Sequence, residues 1–274
     1  MRMKESIKGP LILLSVLLSF SITIVLVNTI YDTNLSDEKA VVALYSDEGT
    51  WEESVQAARN MFLWMNYTVV SVDADDINIQ GLESFDILCI PGGSMYQYAQ
   101  DISPDGMDNI RYFINNGGSY IGICGGAYFA AEEVVWQGEQ LPITPLGIFP
   151  GTAEGPSNEI VPFPNYTMCE INILNSSHPI TQSVSESVWM LYYWGPMFMP
   201  NIGGNMTILG NYDTGNQSAM IAFDYGLGRV FLIGTHPEIE EDSERDGVVF
   251  ADELDDQGSD WDLMRRATIW CLKE

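Results

Sequence analysis

Cys124 sits in a setting that suits a nucleophile. The stretch Tyr120-Ile121-Gly122-Ile123-Cys124-Gly125-Gly126-Ala127-Tyr128 ends a short apolar run on a cysteine and continues into two glycines and an alanine. A sharp strand-to-helix turn that lifts one side chain above a sheet tolerates only small neighbours. A cysteine attacks as its thiolate, so it needs a base or a cation beside it. His236, in Gly234-Thr235-His236-Pro237-Glu238, can take the thiol proton. Glu238 can hold the other imidazole nitrogen, fixing the tautomer and steadying the imidazolium. The oxyanion formed on attack needs two N–H donors. Gly125, next after the nucleophile, offers one, and Gly93, in the turn Pro91-Gly92-Gly93, offers the other. Taken singly, each piece has a plain alternative: a lone cysteine packs in a core, and His-Pro-Glu or Gly-Gly makes a turn. Together, each at a strand end, they make an acyl-transfer site.

The elements that must position these residues alternate. Ala40–Tyr45, Tyr67–Val72, Phe85–Ile90 and Ser119–Ile123 are apolar runs of strand length. Between them, Trp51, Val55, Ala58, Phe62 and Met65 recur at helical spacing, as do Met107, Ile110, Arg111 and Ile114. Thr50 with Glu53 reads as a capping box for the first of these helices. A helix is predicted from Cys124 to about Trp136, carrying Tyr128 and Glu133 as packing and surface residues. Strands alternating with helices predict an α/β fold with a mostly parallel sheet covered on both faces, and ligands at the carboxyl ends of its strands.

The later half is predicted to hold loops with short strands over Pro142–Pro164, a strand over Thr167–Leu174, and a turn at Ser177-His178-Pro179-Ile180. Val188–Met199 is rich in aromatic residues and broken by Gly195-Pro196, which suggests a loop displaying some of them. Tyr193, Trp194 and Gly92 are the expected substrate-binding residues. Strands at Met206–Leu209 and Ser218–Phe223 precede a Gly226-Leu227-Gly228 hairpin into Arg229–Ile233. Ile239–Gly258 is strongly acidic and reads as a solvated, mobile loop with a small chance of holding a cation. A last helix, about Ser259–Leu272, sets Trp261, Met264, Ala267 or Thr268, and Cys271 on one face.

Composition narrows the partners. The formal charge is −27, from 38 acidic against 11 basic residues, so nucleic acid is not an expected partner. The four cysteines contain no C-x-x-C pair and only two histidines exist, so neither a zinc site nor any other cofactor is expected. An oxidising compartment would permit a disulfide, with Cys169–Cys271 the pair to test; the alternative is four buried thiols.

Residues 1–31 form a candidate anchor. Arg2, Lys4 and Lys8 precede an uncharged apolar run, Leu11–Ile30, about long enough to cross a bilayer as a helix. Basic flanks stay in the cytoplasm, which places the rest outside. A cleaved leader would show a shorter run and a small-x-small site, and Val27-Asn28-Thr29-Ile30-Tyr31 shows none. Residues 32–39 read as a linker and 40–274 as one domain. Asn-x-Ser/Thr triplets at Asn34, Asn66, Asn165, Asn175, Asn205 and Asn216 suit an external domain.

The elbow Gly122–Ala127 and the later Gly234–Glu238 resemble the class I glutamine amidotransferase-like superfamily. Within it the chain is most similar to the biotin–protein ligase N-terminal domain family, through Pro91-Gly92-Gly93, Ala127-Tyr128, Tyr192-Tyr193 with Gly195 and Phe198, and the Gly226-x-Gly228-Arg229 hairpin. That resemblance covers about residues 40–272. It implies a flavodoxin-like three-layer sandwich and a Cys124–His236–Glu238 triad. It implies no particular substrate, and neither a synthase domain to receive ammonia nor the ligase's own catalytic domain is recognisable. Two readings follow: a membrane-anchored, outward-facing cysteine hydrolase acting on an amide or acyl group of a small molecule or peptide, or a binding module on the same fold. In a third, Cys124 merely packs.

Overall fold

Most of the apolar runs become strands buried on both faces. The computed structural model describes residues 39–79, 81–203, 205–240, 244–254, 258 and 260–273. The candidate anchor therefore lies outside the described residues, and none of the described helices is long and apolar enough to cross a membrane.

Along the chain, β1 (Val41–Tyr45) is followed by α1 (Glu52–Trp64), β2 (Thr68–Val72), α2 (Ala74–Ile79) and β3 (Ile87–Ile90). Helices α3 (Met95–Asp101) and α4 (Pro104–Asn115) lead to β4 (Ser119–Ile123) and the short α5 (Gly125–Phe129). Next come β5 (Ala131–Trp136), β6 (Glu139–Gln140), β7 (Phe149–Gly155), β8 (Thr167–Ile173) and β9 (Ser187–Tyr192). The strands β10 (Met197–Pro200), β11 (Thr207–Tyr212), β12 (Ser218–Tyr225) and β13 (Gly228–Ile233) precede the last helix, α6 (Trp261–Leu272).

The sheet runs β2-β1-β3-β4-β13-β12-β10-β7-β5-β6, with β11, β8 and β9 branching from β12. Its first five strands are parallel, as is the β5–β7 pair. Every other pairing is antiparallel. The expected mostly parallel sheet is thus a mixed one. Tight connections such as the Gly226–Leu227 turn can join only antiparallel neighbours, whereas a parallel step needs a long crossover.

Alternation along each central strand feeds two cores. Ala43, Tyr45, Leu88, Ile90, Val230 and Leu232 face one side, where α2, α3, α4 and α5 pack. Val42, Leu44, Ile87, Cys89, Phe231 and Ile233 face the other, against α1 and α6. A side chain such as Phe62, fully buried there, contributes on the order of 1.5–3 kcal/mol. Two serines cap α3 and α4: Ser94 accepts from Gln97 N–H, and Ser103 accepts from Gly106 N–H with Pro104 following it.

Four expectations change. Thr50 is not a cap: α1 starts at Glu52, and Thr50 Oγ1 instead donates to Asp47 O at 2.6 Å. The helix after Cys124 ends at Phe129, not near Trp136, and Glu133 lies on β5. The sequence there, Ala131-Glu132-Glu133-Val134-Val135-Trp136, carries β-branched and aromatic residues that pair with β7. All four cysteines are buried free thiols, so Cys169–Cys271 is not a disulfide. The acidic stretch is partly packed: Asp246 is buried and accepts from Glu240 N–H, while Phe250 packs edge-on against Trp51 and at a tilt against Tyr193.

Candidate active site

Four adjacent parallel strands, β1, β3, β4 and β13, deliver their carboxyl ends to one edge of the sheet. From these ends come Thr50 and Trp51, the Pro91–Gly93 turn, Cys124, and His236 with Glu238. Cys124 has φ 46° and ψ −101°, a conformation that costs a non-glycine residue on the order of 1–3 kcal/mol. Its N–H is tied to Ile233 O on β13 at 3.0 Å, and its carbonyl accepts from Ala127 and Tyr128 as α5 begins. The two glycines after it are required by close backbone approach. A Cβ on Gly125 would lie 2.3 Å from Gly93 O, and one on Gly126 would lie 2.0 Å from Ile90 O.

His236 and Glu238 are buried to 1% and 0% exposure, so their polar atoms must be satisfied internally. His236 Nδ1 lies 2.8 Å from Glu238 Oε1. Ser54, on the buried face of α1, donates to the same carboxylate oxygen at 2.6 Å and accepts from Gly92 N–H at 2.8 Å. Glu238 Oε2 has no hydrogen-bond partner among the described residues. Trp261 Nε1 donates to the Glu238 carbonyl at 2.9 Å, and Trp51 packs edge-on against the imidazole with ring centroids 5.0 Å apart.

Burial alone would discharge His236. The negative charges of Cys124 and Glu238, and the hydrogen bond to Glu238, outweigh it and raise the imidazole to about 10. The same burial without such a partner pushes the Cys89, Cys169 and Cys271 thiols up, away from the thiolate.

Cys124 and His236 meet at one atom. Cys124 Sγ lies 3.6 Å from Tyr193 O, and His236 Nε2 lies 3.3 Å from the same oxygen. Gly93 and Gly125 have their N–H groups free of hydrogen-bond partners among the described residues, while the neighbouring Gly92, Ser94 and Gly126 N–H groups are bonded to Ser54 Oγ, Gly49 O and Pro91 O. Above them opens a cavity of about 550 Å³ whose lining includes Cys124, His236, Gly93, Tyr193 and Trp194.

Residues 40–262 match the family described as biotin-protein ligase, N terminal. The chain belongs to this family. One relative, the biotin–protein ligase of Schizosaccharomyces pombe, is 26% identical over 164 residues, which cover 56% of this chain and 25% of that protein. A protein of Chlamydia muridarum is 29% identical over 129 residues, covering 42% of this chain and 49% of its own length. The chain therefore spans about half or less of these relatives. Among solved structures, PurLQS from Thermotoga maritima superposes with a TM-score of 0.59 at 15% identity, over 85% of this chain and 99% of that one. A glutamine amidotransferase from Thermotoga maritima gives 0.58 at 13% identity, over 86% and 99%. At these identities the likeness is one of fold: the mixed α/β sheet shared by flavodoxin-like amidotransferases.

Within this member of the biotin–protein ligase N-terminal family, Cys124, His236, Glu238, Gly93 and Gly125 come together, and Tyr193 and Trp194 line the cavity. Gly92 stands behind the imidazole rather than in the cavity wall; a Cβ there would lie 2.5 Å from His236 Cε1. His178 is remote from the site, packed on Trp270 and influenced by Arg229 at the opposite end of β13. Sequence reading passed over Ser54. Its signal was a polar residue four positions before Ala58 on the apolar face of α1. Tyr128, expected only to pack, lines the cavity while donating to Trp194 O at 3.0 Å.

Proposed function

We propose that this domain is a cysteine hydrolase that cleaves an amide or related acyl group through Cys124, His236 and Glu238. The observation that carries the reading is the strained Cys124 sharing one carbonyl with His236, whose far nitrogen is held by Glu238. With the Cys124 proton passed to His236 Nε2, the sulfur attacks the substrate carbonyl carbon as a thiolate, and the C=O electron pair moves onto oxygen. The Gly93 and Gly125 N–H groups receive that oxyanion. His236 Nε2 gives its proton to the departing amine as the C–N bond breaks, leaving a thioester on Cys124. Nε2 then takes a proton from water as the water oxygen attacks, and the C–S bond breaks to return the sulfur. Glu238, anchored by Ser54, keeps Nδ1 protonated throughout.

Tyr193 O supports a second reading. It lies within 3.6 Å of Cys124 Sγ and 3.3 Å of His236 Nε2, between the two groups that would act on a substrate. A ligand-binding module that keeps the fold without turnover would retain that contact. In either case we propose that the apolar run 11–30 tethers the domain to a membrane on its outer side.

Iodoacetamide labelling followed by intact-mass measurement decides between these. At neutral pH the folded protein is expected to take one label, absent in Cys124→Ala, because burial disfavours the other three thiolates. The rate is expected to fall by about tenfold or more in His236→Ala. Labelling at Cys124 no faster than a free thiol, and indifferent to His236, would leave only the binding module.

A further inference from the structure

The cavity over Cys124 is walled by Trp51, Tyr96, Tyr128, Trp136, Tyr193 and Trp194, and none of its lining residues is Lys, Arg, Asp or Glu. Its volume, about 550 Å³, is far more than a single primary amide needs and falls in the range of ligand-sized sites. The rings brace one another: Tyr193 on Trp194 at 4.3 Å between centroids, Trp194 on Phe163 at 4.7 Å, and Tyr128 on Trp136 at 5.8 Å. Such a lattice is built before any ligand arrives, so little ordering is needed on binding. Tyr96, at 44% exposure, stands at the rim.

A free amino acid fits these walls badly. Its ammonium would find no carboxylate in the lining, and its carboxylate only the His236 imidazolium already paired with Glu238, so both charges would be poorly compensated. The hydroxyl of Tyr128 is already committed to Trp194 O. Burial holds Tyr128 and Tyr193 in the neutral phenol form, so neither offers a charge. A net charge of −27 further repels a carboxylate. Aromatic walls with neutral polar tips favour a flat or alicyclic apolar group instead.

We infer that the substrate is a neutral amide carrying an aromatic or alicyclic group beside the scissile bond, and that free glutamine is excluded. This rests on Cys124 being the nucleophile, so the test separates the two claims. Three chloroacetamides are compared: N-benzyl, N-carboxymethyl and N-(2-trimethylammonioethyl), each rate divided by its rate with glutathione to remove differences in intrinsic electrophilicity. The benzyl probe is expected to label Cys124 at least about tenfold faster than the carboxylate and to saturate. N-Benzylacetamide is expected to protect Cys124 where L-glutamine at equal concentration does not. Trp136→Ala is expected to bring the benzyl rate down towards that of the carboxylate probe, with Trp136→Phe retaining most of the preference.

Equal rates, protection by glutamine, or a fastest trimethylammonium probe would overturn the inference, the last by marking the rings as a cage for a cation. Should no probe outpace a free thiol, the nucleophile reading fails. Tryptophan fluorescence of Cys124→Ala titrated with N-benzylacetamide then decides selectivity alone. Binding without a response to glutamine keeps the substrate class, and no binding removes it.

Discussion

His236 carries the electrostatics of the site. Fully buried imidazoles ordinarily lose their proton, yet the charges of Cys124 and Glu238 raise this one to about 10. The sign of the linkage follows: a raised folded-state value adds stability that is complete below about 6.5. That contribution is lost as pH climbs towards about 10. With only two histidines in the chain, both imidazoles can be followed by heteronuclear NMR without ambiguity. His236 is expected to titrate above the usual range and His178, whose pKa burial and Arg229 lower, below it. Cys124→Ala and Glu238→Gln should each bring the His236 midpoint down, since each removes a negative charge. A midpoint unmoved by Cys124→Ala would mean that the sulfur carries no charge beside the ring. His236 and Glu238 are recognisable from their own short motif, whereas the orphaned Glu238 Oε2 is visible only once the surrounding atoms are placed.

At the scale of elements, the decisive arrangement is that β1, β3, β4 and β13 are parallel neighbours. Helix α1 packs on one face of the sheet and near its start sets Ser54 between Gly92 and Glu238, so one hydroxyl ties a turn after β3 to the carboxylate after β13. Ser54→Ala removes a partner from two buried groups and is expected to cost about 1–3 kcal/mol in urea unfolding. It should also slow Cys124 alkylation, because Glu238 loses its anchor. Loss of stability with an unchanged alkylation rate would make Ser54 a packing residue only. The strands themselves were legible as apolar runs bounded by turn residues. The helix after the elbow was legible too, but not its early end at Phe129, since Ala131-Glu132-Glu133-Val134 continues without a helix-stopping glycine or proline. Pairing with β7 gave Ala131–Trp136 to the sheet.

Across the whole molecule, charge and the amino-terminal run define the setting in which the site would work. The basic residues Arg2, Lys4 and Lys8 precede a charge-free run of bilayer length, and the acidic remainder would be repelled by anionic headgroups. Expressed in full, the chain is expected to stay with membranes through an alkaline carbonate wash. A variant lacking residues 1–31 is expected to be released. Protease added to sealed cells or spheroplasts should reach the domain if it faces outwards; protection of the full chain would reverse the orientation. Cys89, Cys169 and Cys271 would survive on that side as free thiols by burial rather than by pairing, since one core encloses all three.

Local sequence determined the pieces: the apolar strand runs, the elbow Gly122–Ala127, the Pro91-Gly92-Gly93 turn and the His236-Pro237-Glu238 motif. These are features of a few consecutive residues, governed by side-chain size, backbone freedom and hydrophobic period, so they are readable without a fold. Tertiary structure alone decided which pieces meet. Ser54 and Glu238 are 184 residues apart in sequence and hydrogen-bonded in space. Trp51, Tyr128 and Trp136 share one cavity although they come from the edge of α1, from α5 and from β5. Strand order and direction bring such residues together, and these depend on burial summed over two whole faces of the sheet, which no short stretch of sequence records.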